Sequence, residues 1–173
     1  MAPALMQTCP SLSELCIAAL MEAADGIESA NDTAAFKDAL NANFRVWLVV
    51  RECGVGNGWA VPTSRDAEFV IQGSSGQGRG VNDDEINAII AINRRVAHGL
   101  AAGGDIARIR TRAVLAYREG GGGGGFAPWM VGQIYKKGRL RSAFDPTSEQ
   151  GRLRPIIRAA AVSFICEAEQ PGP

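Results

Sequence analysis

The segment NDTAAFKDALNANFRVWLVVRECG, residues 31–54, decides how this chain is read. Its core, VWLVV at 46–50, has the β-branched and aromatic composition of a buried strand. The lead-in argues otherwise. Polar capping residues stand at Asn31 to Thr33, and Phe36, Ala39, Leu40, Asn43, Trp47 and Val50 then share one helical stripe. That run is longer than an ordinary strand, so a helix is expected, with Gly54 placed to stop it.

The neighbouring segments follow the same period. Ser11 and Glu14 have capping-box spacing, and Leu12, Leu15, Cys16, Ala19, Leu20, Ala23 and Ile27 continue as the apolar face of a helix over 12–30. Asn82 and Glu85 repeat the box before Ile86, Ile89, Ile90, Asn93, Ala97 and Leu100, with Gly103 at the end. DIARIRTRAVLAYRE, 105–119, is amphipathic through Ile106, Ile109, Ala113 and Tyr117, with arginines opposite. RLRPIIRAAAVSFICEAE, 152–169, has helical spacing again, with Pro155 tolerated in the first turn. Between these, 55–80 is rich in glycine and reads as loop, with AEFVI as one helical turn or a short strand, and 126–151 reads as irregular. No pair of strands is evident. The expected fold is all-α, a small helical bundle with Gly-rich loops and a basic C-terminal extension.

Three parts are expected: a helical domain over 1–103, a connecting basic helix over 104–119, and a Gly-linked extension over 120–173 ending in a helix. Charge divides along the same line. Residues 1–107 carry 7 basic and 13 acidic side chains, whereas 108–158 carry 11 basic and 3 acidic. The basic part either meets an electrostatic partner or is neutralised by the acidic part of the same chain.

No apolar run approaches the roughly 18 residues of a membrane span, and the N-terminus has no basic region followed by an apolar one. Cys9 and Cys16 would lie roughly 10 Å apart along a helix, too far for a disulfide. Cys53 and Cys166 have no C-x-x-C partner, and His98, the only histidine, has no cysteine near it. Reduced thiols in a cytoplasmic protein, without bound metal, are the economical expectation.

Six glycines at 120–125 raise the question of phosphate binding. A phosphate loop needs a strand before it and a helix N-terminus after it. Here a helical pattern precedes the run and FAPW follows, and no Lys-Ser or Lys-Thr pair closes it, so a connector is expected and no nucleotide cofactor. Asp83, Asp84 and Glu85 group carboxylates where helix capping alone favours them. No serine or cysteine is spaced to partner His98. No catalytic residue is expected.

Two polar residues are more informative. Asn43 and Asn93 interrupt otherwise apolar stripes. A buried amide must be hydrogen-bonded, so each bonds across helices or lies where a partner completes it. Phe44, Trp47 and Trp59 beside them suit either a core or an interface.

Asn43, Trp47, Cys53, Gly54, Asn57 and Pro62, with Ile92, Asn93, Arg94, Gly99 and Leu100 further on, resemble the pattern of the FlaF family, flagellar biosynthesis regulators of alphaproteobacteria. The likeness spans about 12–102. Where the pattern has an apolar helix between the proline and its last helix, this chain has RDAEFVIQGSSGQGRG, and everything after Gly103 lies outside the pattern. The resemblance implies a non-enzymatic, chaperone-like role: binding flagellin, or a companion regulator, to control flagellin synthesis and export. A short helical bundle with an open apolar groove could receive an amphipathic segment of that kind, so Phe44, Trp47, Asn93 and Arg94 are expected close together near such a groove, with Asn43 also among the partner-binding residues. A rival expectation from the residues themselves is nucleic-acid binding by the basic region 108–158, through phosphate contacts and stacking on Tyr117, Trp129 and Tyr135.

Overall fold

A computed structural model describes residues 10–76, 78–120 and 126–137. Its elements are all helices: α1 (Leu12–Ser29), α2 (Thr33–Asn57), α3 (Ser64–Ser75), α4 (Asp83–Ala101), α5 (Ile106–Glu119) and α6 (Phe126–Lys137). The all-α expectation holds. No described helix is long and apolar enough to cross a membrane.

The helix starts follow from local chemistry. The Ser11 hydroxyl accepts from the Glu14 amide while the Glu14 carboxylate accepts from the Ser11 amide, and Asn82 and Glu85 form the same reciprocal pair. Asp32, Thr63 and Asp105 cap α2, α3 and α5 in the same manner. Each cap satisfies amide donors that the first turn leaves without a partner.

Helix α1 runs through the centre, in contact with α2, α4, α5 and α6, and α3 bridges α2 and α4. Consequently Leu15 to Leu20 are buried all the way round α1. The same holds for Val46 to Val50 of α2, which lies against α1, α3 and α6. This is why VWLVV looks like a strand in isolation: a helix packed on every side has no polar face.

Two segments expected to be irregular are helical. α3 buries only Ala67, Val70 and Ser74, a stripe so narrow, and with a hydroxyl in it, that hydropathy does not reveal it. α6 begins two residues before Pro128, so the proline lies in the first turn, where a missing amide costs nothing. Gly54 does not stop α2 either. The helix continues to Asn57 and ends at Gly58, whose φ of 64° is left-handed. Gly54 instead lets the returning chain approach: a Cβ there would lie 3.4 Å from Pro62 Cδ, and the Trp59 amide donates to the Gly54 carbonyl at 2.9 Å.

The core is continuous past residue 103. Ile109 and Ala113 of α5 and Trp129, Met130 and Ile134 of α6 belong to the same buried cluster as α1, α2 and α4. Tyr117, Phe126 and Trp129 pack ring to ring and join α5 to α6. Residues 121–125 of the glycine run and the expected helix at 152–169 lie outside the described residues.

Candidate functional site

Asn43, Trp47 and Asn93, from α2 and α4, meet in the interior, all 0% exposed. The Trp47 indole Nε1–H donates to Asn93 Oδ1 at 2.7 Å. Asn93 Nδ2 donates to Asn43 Oδ1 at 2.7 Å and to the Leu20 carbonyl of α1 at 3.2 Å. Asn43 Nδ2 donates to Ser74 Oγ of α3 at 2.9 Å. One network therefore ties four helices together. Of the alternatives open for the two asparagines, the structure shows bonding across helices.

This placement corrects the expected geometry. Asn43, Trp47 and Asn93 do not border an open groove. Phe44 is half-buried against the core. Arg94 borders a cleft of about 480 Å³ between α1 and α4. It is lined by Ile27, Ile86 and Ile90, with exposed Ala91 on its wall and Glu28 and Arg94 together at its edge. Arg94 Nη2 reaches Asp25 at 3.2 Å and also pairs with Glu28. Hydrogen bonds from Arg94 hold the Glu28 carboxyl below its usual range, and Glu28 in turn raises Arg94.

The charge asymmetry finds partners inside the chain. Arg110 of α5 contacts Glu22 at 3.3 Å and Asp25 at 2.7 Å, and Arg112 pairs with Glu14. Arg95 of α4 pairs with Asp66 of α3 at 2.7 Å. Two of the arginines on which a phosphate-binding reading rests thus face carboxylates of α1. Arg108 and Arg118 are exposed, Trp129 is buried, and Tyr117 is half-buried in the aromatic cluster. The basic residues 139–158 and the side chain of Tyr135 lie outside the described residues.

Among the described residues no group of three or more His, Cys, Asp or Glu side chains is arranged to hold a metal ion. Asp83, Asp84 and Glu85 occupy the first turn of α4, Glu85 as half of its capping box. Cys16 and Cys53 are free and fully buried. Their mutual hydrogen bond, and then burial, push the Cys16 thiol well above its ordinary pKa, which suppresses the nucleophilic thiolate.

Ser74, Glu22 and Asp25 are not singled out from sequence, and Glu14 only as a capping residue, yet they carry the network and the ion pairs. A signal for the acids existed. Positions 14, 22, 25 and 28 flank the apolar stripe of α1, where carboxylates meet the basic residues of whatever packs beside it. Ser74 had none, since its value comes entirely from Asn43. Compared with family models, with curated proteins and with solved structures, the chain matches none.

Proposed function

We propose that this protein is a non-enzymatic regulator of flagellum biogenesis that binds flagellin, or a companion regulator, by contact. The observation that carries the reading is the convergence of Asn43, Trp47 and Asn93. These positions bear the FlaF resemblance, they lie 50 residues apart at the extremes, and they form one hydrogen-bonded unit. A likeness whose residues make up one packing unit reflects a shared architecture better than one scattered over the surface. The presence of α3 between Pro62 and α4 supports the same reading.

The binding surface in this reading is the α1/α4 groove. Its isoleucine floor and its Arg94–Glu28 edge suit the apolar stripe and polar flank of an amphipathic helix. Trp47 is a poor probe because its loss would disturb the core. Ala91, exposed on the groove wall, is a better one. Immobilised full-length protein is expected to retain purified flagellin. The Ala91→Glu variant is expected to lose it with an unchanged helical circular-dichroism signal. Failure of the wild type to retain flagellin or a companion regulator removes the proposal.

A further inference from the structure

Helix α5 is held less deeply than α1 and α4. It buries only Ile109 and Ala113, whereas α1 buries Leu15 to Leu20 and α4 buries Ile89, Ile90, Asn93, Val96 and Ala97. Its grip on α1 runs through Arg110, shared by Glu22 and Asp25, and Arg112, paired with Glu14. These side chains are partly exposed, Arg110 at 31% and Glu22 at 47%, so salt weakens the contacts. The seat is also incompletely filled. A cleft of about 360 Å³ opens where α5 meets α1 and α4, bordered by Ile17, Leu100 and Arg108. At its start stand Ala102 and Gly103, both with left-handed φ, so α5 turns away from α4 on a short link. α6, in contrast, is anchored by Trp129, Met130 and Ile134.

We infer that α5 is a displaceable strap, latched by charge over α1, and that the acid-rimmed apolar strip beneath it accepts a basic amphipathic helix from a partner. α5 itself is the template for that occupant: isoleucine and alanine on one face, arginines on its flank. Release uncovers Ile17 and Leu100 between Glu14, Glu22 and Asp25. A partner helix with apolar residues at helical spacing and flanking arginines restores both the burial and the ion pairs. While the strap is closed, it lowers the partner's apparent affinity by the fraction of molecules that are open. The surface adjoins the Ile86–Ile90 groove at Asp25, which Arg94 also contacts, and does not depend on the flagellar reading.

The test uses the full-length chain and a fluorescent peptide with the sequence of residues 105–119. In the Arg110→Glu, Arg112→Glu double variant the strap faces its acids with like charge. This variant is expected to bind the peptide about tenfold or more tighter than the wild type does. A peptide carrying both substitutions is expected to bind neither protein. Equal binding to the two proteins, or no binding to a correctly folded variant, overturns the inference. Hydrogen exchange on the wild type keeps it falsifiable should the variant not fold. The α5 amides are expected to exchange ahead of those in α2, and about fivefold or more faster on going from roughly 0.1 to 1 M salt. A single rate for α2, α4 and α5, indifferent to salt, overturns the latch.

Discussion

The indole N–H of Trp47 and the side-chain oxygen of Asn93 lie 2.7 Å apart, across 46 residues of sequence and between two different helices. The contact closes a network in which Asn93 also serves Asn43 and the Leu20 carbonyl. All three side chains are fully buried and share their partners, so the network acts as a unit.

Asn93→Ala is therefore expected to leave the Trp47 donor and the Asn43 acceptor unpaired. A loss on the order of 3 kcal/mol in stability is expected, read by urea unfolding. Trp47→Phe should cost less, since it removes the donor while keeping much of the ring. The Asn43→Ala, Asn93→Ala pair should be clearly non-additive, because the two residues share a bond. Additive losses would show that the asparagines act independently.

Gly78 and Gly80 both have positive φ, 89° and 71°, in the turn before α4. They differ in surroundings. A Cβ on Gly78 would lie 3.0 Å from Phe36 Cε1, whereas one on Gly80 would meet nothing within 4 Å. Gly80→Ala is expected to cost about 1 kcal/mol, for the left-handed backbone alone. Gly78→Ala should cost roughly 1 kcal/mol more, for crowding against Phe36. Equal losses in a thermal melt would show that Phe36 moves aside freely.

Burial alone would raise the Asp66 carboxyl, but hydrogen bonds from Arg95 and Thr63 outweigh it and hold the group below its ordinary value. A carboxyl depressed in the folded state stabilises the protein above its unfolded pKa of about 3.9. That contribution disappears as pH falls through the folded value. The stability difference between wild type and Asp66→Asn, measured by urea unfolding, is expected to be largest near neutral pH. It should shrink below about pH 4. A difference independent of pH would mean that the Arg95 contact does not set the charge of Asp66.

Cys16 and Cys53 face each other inside the core, with the Cys16 pKa raised. Both should react slowly with a thiol reagent in the folded protein and at the ordinary rate in denaturant. A chain carrying Cys9→Ala and Cys166→Ala isolates the two. Rapid labelling without denaturant would show that α1 and α2 separate readily.

By itself the sequence determined the helices whose evidence is local. α1, α2 and α4 start at polar caps and carry wide apolar stripes, α5 shows its apolar positions at the same spacing, and these signals lie within a few turns of chain. It also determined that Asn43 and Asn93 were anomalous, because a polar residue in an apolar stripe is visible without knowing its neighbours. Tertiary structure alone decided the rest. α3 is stabilised through Ala67, Val70 and a serine whose partner is 31 residues away, so its own segment carries too little pattern to announce it. Gly54 stays helical, with α2 running on to Asn57, and its missing Cβ leaves room for Pro62, a contact the local sequence does not announce. The arginines of α5 face α1 because the fold brings residues 110 and 112 beside acids nearly 90 or more positions earlier. Ion pairs and buried hydrogen bonds act over a few ångströms of space, and separation along the chain does not reveal which groups come within that distance.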